Sequence, residues 1–190
     1  MSASQTVVTP VTLGAHVARW TAPERFAAEC LHRPLRAYQL PIARAIVDSA
    51  LYGRGLTLAV MMPRQSGKNE TAAHVEALLL NACRRVGGCL VKAAPTFQPQ
   101  ALISLQRLET LLRRAPGGAA ARERGNTLRL DRARALFCSA APGANVVGAT
   151  ANILLEADEA QDIDEDKWNK DFAPMGASAN VTTVLWGTAW

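Results

Sequence analysis

Residue types able to do chemistry concentrate at two places about ninety positions apart. The first is Pro63-Arg64-Gln65-Ser66-Gly67-Lys68, which follows an apolar run and precedes a stretch of helical periodicity. Such a turn points consecutive backbone amides at an anion, the following helix adds about half a positive charge at its N-terminus, and Lys68 can reach the outer phosphates of a nucleotide. Strand, loop and helix in that order are the context a phosphate loop requires. Against the pattern G-x-x-x-x-G-K-[ST], the first glycine is replaced by Met62 and the hydroxyl residue after the lysine by Asn69. The second place is Ile153-Leu154-Leu155-Glu156-Ala157-Asp158-Glu159, an apolar run that delivers two adjacent carboxylates. Adjacent side chains on an extended end point opposite ways, so one acid can hold a magnesium ion through water while the other orients or deprotonates an attacking water. Asp158 is expected to serve the metal and Glu159 the water, with Lys68, the ion and an arginine, either Arg64 or one of the basic segment such as Arg132 or Arg134, neutralising charge during in-line phosphoryl transfer. Glu156 is an alternative metal ligand, whereas Asp162, Asp164, Glu165 and Asp166 read as solvated surface.

These groups need elements to position them. Leu56 to Met62 is a continuous apolar run, as for a parallel strand covered on both faces. Asn69 to Arg85 follows as an amphipathic helix, ended by Gly87-Gly88. Cys89 to Ala94 reads as a strand, Phe97 to Arg114 as a helix, Thr127 to Leu130 and Ala135 to Ser139 as short strands, Asn152 to Ala157 as a buried strand and Val181 to Gly187 as a last one. Upstream, Thr21 and Glu24 have capping-box spacing for a short helix to Leu31, and Tyr38 to Tyr52 reads as a helix with Pro41 in its first turn. Strands alternating with helices predict a mostly parallel α/β sheet with helices on both faces, and ligands gather at the carboxyl ends of its strands. The loops Pro63 to Lys68, Asp158 to Asp162 and Thr188 to Trp190 fall there.

With 190 residues, 49% of them apolar and 19% charged, the chain can bury a core, which excludes a largely disordered or collagen-like class. No apolar run approaches the roughly 18 residues that span a bilayer, and Met1 to Trp20 lacks the features of a signal peptide. A cytoplasmic address without membrane contact is expected. Cys30, Cys83, Cys89 and Cys138 show no C-x-x-C spacing, so neither a zinc site nor a disulfide framework is indicated. The formal charge of +5 is sorted along the chain: residues 1–155 hold 19 bases and 8 acids, residues 156–190 hold 2 and 8. Residues 84–134 carry 11 bases against three acids, a segment able to meet a polyanion.

On these motifs the sequence resembles the ATPase domain of the large terminase subunit, the DNA-packaging motor of tailed bacteriophages, over about Leu35 to Trp190. Arg64-Gln65-Ser66-Gly67-Lys68 looks like the arginine-bearing phosphate loop of that family, which accounts for Met62. Tyr38-Gln39 is similar to its adenine-reading motif, Ala94-Pro95-Thr96 to the segment after its second strand, and Ser139-Ala140-Ala141-Pro142-Gly143 with Val147-Gly148 to the stretch before the acidic strand. Val181 to Thr188 resembles a coupling motif that lies between the phosphate loop and the acidic strand. The resemblance implies a RecA-like P-loop ATPase of the ASCE type over residues 35–190, preceded by an arm and short helix at 1–34. It implies ATP held by Gln39, Arg64, Gln65, Ser66, Gly67, Lys68, Asn69 and Thr188, and Mg2+ held by Asp158 and Asn69. Implied partners are double-stranded DNA, the small terminase subunit, the portal protein and further copies in a ring, within the bacterial host cytoplasm. A complete motor would continue past Trp190 with more strands, a lid and a nuclease domain, so the domain is expected to be incomplete here. Asn69 offers an amide oxygen where the family usually offers magnesium a hydroxyl, and Val147 stands where many such motors place an arginine that completes a neighbour's site.

Two rival readings differ in class. Asp158-Glu159-Ala160-Gln161 with Ala94-Pro95-Thr96 suggests a superfamily 2 helicase, against which the arginine-bearing loop argues. Asn69 and Val147 suggest instead a nucleotide- or DNA-binding module without turnover.

Overall fold

The computed structural model describes residues 20–117, 120–123, 125–146 and 148–189; most of the expected arm, Arg124 and Val147 lie outside the described residues. Among these, seven strands form one sheet: β1 Thr57–Pro63, β2 Gly88–Ala94, β3 Ala121–Glu123, β4 Thr127–Leu130, β5 Ala133–Ser139, β6 Leu154–Ala157 and β7 Thr183–Ala189. Their order is β1-β7-β6-β2-β5-β4-β3. The first five in that order pair in parallel, and β4 and β3 add an antiparallel edge. The helices are α1 Pro23–Arg25, continued by a wider turn Phe26–Cys30; α2 Leu40–Leu51; α3 Lys68–Cys83; α4 Leu102–Leu112, led in by Phe97–Ala101; α5 Glu165–Lys167; and α6 Ala173–Ala177, with Trp168–Phe172 between the last two. None of the described helices is long and apolar enough to cross a membrane.

Alternation along β2 explains the layers. Leu90 joins Leu154, Val184 and Trp186 in a core shared with α2, α3 and α4, whereas Cys89, Val91 and Ala93 face the other way onto Leu155, Phe172 and Met175. Helical segments therefore cover both faces. The larger core holds α3 in its middle, where every residue from Thr71 to Asn81 is buried. The amphipathic pattern expected there is thus corrected: α2 and α4 pack on this helix and leave it no solvent face.

Four other local expectations change. β1 is the sheet edge rather than a doubly covered strand, and Thr57, Ala59 and Met61 alternate outward, Met61 at 61% exposure, while Leu58 and Val60 pack inward. Its apolar run continues through both faces, but only the inward one, with Leu58 and Val60, packs on the core at this edge. Glu24 does not close a capping box; the N-cap is Ala22, Pro23 opens the helix, and Glu24 instead accepts both guanidinium contacts from Arg44 of α2 at 2.9 and 3.2 Å. Phe97 to Arg114 is interrupted at Gln98, which has extended backbone before a cis Pro99, so the regular helix starts at Leu102. The acidic strand starts at Leu154 rather than Asn152, because Asn152 lies before the parallel ladder and its side chain accepts from Cys89 N at 2.6 Å.

Register brings the chemistry to one edge. Met62 pairs with Thr188 and Ala93 with Ala157, and Asp158 N donates to Ala93 O at 2.8 Å. The carboxyl ends of β1, β7 and β6 thus stand side by side, in that order.

Candidate nucleotide-binding site

The loop after β1 is shaped from below. Ser66 N and Ser66 Oγ both donate to Pro63 O, at 3.2 and 2.6 Å, and Gln65 has a left-handed backbone (φ 60°). Gly67 is the N-cap of α3 with φ 85°, and a Cβ there would sit 2.5 Å from Gln39 Nε2. Only glycine satisfies both demands. Gln39 is buried; its Nε2 donates to Ser66 O at 3.3 Å and Gly67 O at 3.2 Å, and its Oε1 accepts from Arg36 N at 2.9 Å. Tyr38 Oη also donates to Ser66 O, at 2.7 Å. The structure therefore places the Gln39 amide beneath the loop as a clamp, and Gln39 is not among the residues that line the cleft above it.

From the first turn of α3, Lys68 Nζ reaches Asp158 Oδ1 at 3.2 Å and Glu159 Oε1 at 2.5 Å. The two acids converge instead of pointing opposite ways, because the strand ends at Ala157 and Glu159 turns into left-handed backbone (φ 48°). Each acid has its own supports. Asp158 Oδ2 accepts from Ser104 Oγ of α4 at 3.1 Å, and Oδ1 accepts from Glu159 N at 3.1 Å. Glu159 Oε2 accepts from Thr188 Oγ1 at 2.7 Å and from Gln161 Nε2 at 2.8 Å. Burial works to raise the Asp158 carboxyl, but the ammonium groups of Lys92 and Lys68 and the Ser104 hydroxyl hold it below its ordinary range. Glu159 is likewise held low against its burial by Gln161, Lys68 and Thr188. Both are ionised at neutral pH.

Lys68, Glu159 and Thr188 open on a cleft of about 510 Å³ lined also by Pro63, Arg64, Gln65, Gly67 and Asn69 of the loop, by Glu70, Gln100 and Arg107, and by Gln161 and Asp162, whereas Ser66 and the buried Asp158 are not among its lining residues. Arg64 and Gln65 are exposed on its rim. Glu156 is not among the lining residues: it is fully buried, with Oε1 accepting from Trp186 Nε1 at 2.7 Å, so it is not placed as a metal ligand. Asp162, expected as plain surface, does line the cleft.

The Asn69 amide oxygen is buried with no hydrogen-bond partner, directly after the lysine that meets Asp158. An orphaned amide oxygen in the cleft lining and the ionised Asp158 carboxylate that meets the preceding lysine are hard-oxygen donors of the type magnesium favours, so the residue types present fit the ion.

No protein-family model matches the sequence, and no curated protein matches it. Solved structures do. The Thermus phage P74-26 large terminase ATPase domain superposes with a TM-score of 0.68 at 23% identity, over 87% of this chain and 69% of that one. An arginine-to-alanine mutant of the same domain gives 0.68 at 22%, over 87% and 70%. The HK97 bacteriophage large terminase gives 0.64 at 16%, over 89% of this chain and 37% of that one. The chain has the fold of a phage large-terminase ATPase domain. This fold is a RecA-like P-loop architecture, and in it β7, which carries Thr188, stands between β1 and β6.

Within the terminase fold, sequence reasoning passed over the contribution of α4. Gln100 of its lead-in and Ser104 and Arg107 of α4 itself lie four and three residues apart; Gln100 and Arg107 line the cleft and Ser104 meets Asp158, on a segment otherwise rich in leucine. That spacing was a usable signal. The contact of Ser104 with Asp158 spans 54 residues and has no sequence signature.

Proposed function

We propose that this chain is an ATP-hydrolysing motor domain of the large-terminase kind, which drives double-stranded DNA during phage genome packaging. One observation above all supports the reading: Lys68, Glu159 and Thr188, from the ends of three neighbouring strands, line a single phosphate-loop cleft, and the buried Asp158 meets Lys68. In this mechanism the loop amides and Lys68 bind the phosphate chain of ATP, with Arg64 and Gln65 at its rim and Gln39 and Ser66 holding the loop in shape. Asp158 and Asn69 would hold Mg2+, which when bound neutralises phosphate charge. Glu159, ionised and fixed by Thr188 and Gln161, orients a water molecule toward the terminal phosphorus. The water oxygen bonds to phosphorus, the bond to the bridging oxygen breaks, its electron pair leaves with ADP, and the water's proton passes through the Glu159 carboxylate to solvent. Because Thr188 touches Glu159 and lies at the carboxyl end of β7, loss of the terminal phosphate changes the contacts of a strand that pairs with both β1 and β6.

DNA is gripped through backbone phosphates without sequence preference. The small terminase subunit, the portal protein and further copies in a ring complete the proposed machine in the host cytoplasm. The test compares wild type with Lys68→Ala and Glu159→Gln for binding of a fluorescent ATP analogue and for DNA-stimulated phosphate release. Lys68→Ala should weaken binding at least about tenfold, a loss on the scale of one charge-assisted contact. Nucleotide binding without turnover in wild type, with DNA present, would establish the inert binding module instead.

A further inference from the structure

We propose that Arg107 is a phosphate-contacting residue of this same cleft, acting within its own chain on the terminal phosphate of ATP and positioned by Glu70. The proposal rests on the triphosphate reading above and names a cation that reading did not supply. Among the described bases of residues 84–134, Arg107 is the one that lines the cleft. Of the others, Lys92 is buried against Glu76, Arg84 holds Asp131 and two backbone carbonyls, Arg113 pairs with Glu109, Arg122 donates to Gly125 O, Arg129 pairs with Glu123, Arg132 donates to Arg85 O, and Arg85 and Arg134 line separate cavities.

Helical geometry puts Arg107 on the acid side of the cleft. Ser104, one turn earlier on α4, donates to Asp158, which fixes that face of the helix against the carboxylates. The proposed water-orienting Glu159 and the terminal phosphate it serves belong to the same side. Arg107 Nη1 donates to Glu70 Oε2 at 3.1 Å, while its Nε is buried with no hydrogen-bond partner. A guanidinium carries five donors in a planar fork that matches two phosphate oxygens, so one contact to Glu70 leaves capacity for a phosphate. Glu70 lies in the first turn of α3, two residues after Lys68, and also pairs with Arg33 at 2.8 Å. Its carboxylate therefore keeps a cationic partner when Arg107 turns to phosphate.

Charge balance points the same way. The lining cations Arg64, Lys68 and Arg107 stand against Glu70, Glu159 and Asp162. Without Arg107 the cleft would present more carboxylates than cations to a highly anionic ligand, so an arginine there favours the form with the extra phosphate.

The test measures affinities for fluorescent ATP and ADP analogues, and kcat, on the full chain in wild type, Arg107→Ala, Arg107→Lys, Glu70→Gln and Lys68→Ala, with melting temperature recorded for each. Arg107→Ala should keep ADP affinity within about twofold and lower either ATP affinity or kcat on the order of tenfold or more. Added guanidinium ion should restore part of that loss, Arg107→Lys should fall between, and Glu70→Gln should shift kcat more than ADP affinity. Equal loss of ATP and ADP affinity, or no change in either, would overturn the assignment. If Arg107→Ala does not fold, Arg107→Lys carries the same ATP-against-ADP comparison. Binding in wild type that Lys68→Ala abolishes, with Arg107 variants unaffected, sinks the Arg107 proposal alone; nucleotide binding that is absent from wild type or indifferent to Lys68→Ala sinks the triphosphate reading and this inference with it.

Discussion

Gly67 shows how much one residue decides here. Its φ of 85° and the 2.5 Å that a Cβ would leave to Gln39 Nε2 are independent constraints, one on backbone and one on space. Gly67→Ala should destabilise the chain by about 1–3 kcal/mol through strain and displaced clamp contacts, read from urea denaturation, and should weaken ATP binding in parallel. Pairing it with Gln39→Ala relieves the clash but not the φ, so only part of the stability should return. Glu159 is a different case, since its carboxylate is held by Thr188, Gln161 and Lys68 and lies on the cleft. Glu159→Gln keeps the shape and removes the charge: nucleotide binding should stay within a few-fold while kcat falls by about 10²–10⁴, measured by phosphate release. At this scale residue types and order were legible, because phosphate binding restricts the loop to glycine and lysine and metal chemistry restricts the strand end to acids. The convergence of Asp158 and Glu159 was not, because it depends on a left-handed backbone at a non-glycine residue. Nor was the use of the Gln39 amide under the loop, which is a contact over 27 and 28 residues.

Between elements, the least expected tie is a buried ionic one. Lys92 of β2 donates to Glu76 of α3 at 2.7 Å, with Glu156 of β6 opposite it in register, and Trp186 of β7 donates to Glu156. Burial alone would pull the Lys92 ammonium down, but Glu76, Glu156 and Asp158 outweigh it and keep it charged. This cluster links the helix that starts at the phosphate loop to the acidic strand and to the strand of Thr188. Lys92→Met should cost about 3–5 kcal/mol by stranding buried carboxylates, and adding Glu76→Leu should return part of it, seen as a double-mutant cycle in urea midpoints. In the sequence Lys92 counted as one more base of a polyanion-binding segment, since a charge in a strand reads as surface until its partners are known. Glu24 was misplaced for the same reason: its partner is Arg44, across an inter-helix gap. The Arg44 guanidinium, together with backbone hydrogen bonding, holds the Glu24 carboxyl below 4.5. A depressed carboxyl stabilises the fold above its unfolded pKa and stops doing so as pH falls through the folded value. Wild type should therefore lose more stability than Glu24→Gln between pH 7 and pH 3, by less than about 1 kcal/mol because the pair is exposed.

For the molecule as a whole, thiol chemistry follows from the layers. Cys138 and Cys89 lie in the smaller core between β2, β5 and the segment that ends in α6. Burial, with Cys89 alongside, pushes the Cys138 thiol up to about 12, and burial raises Cys89 and the half-buried Cys83 as well. Alkylation of the native chain at pH 8 should leave Cys89 and Cys138 unmodified by mass spectrometry, and denaturant should expose all four cysteines. Fast labelling of Cys138 in the native chain would contradict the packing described. The sequence by itself determined the alternation of strands and helices, the phosphate loop, the acidic strand end and their order along the chain, because each is a local pattern set by side-chain period and by the chemistry of anion and metal binding. Only the tertiary structure decided that α3 is buried all round, that β1 is an edge, that Ser104 meets Asp158 and that Arg107 lines the cleft. Those features are fixed by packing between segments tens of residues apart, and no local pattern encodes which far segment arrives.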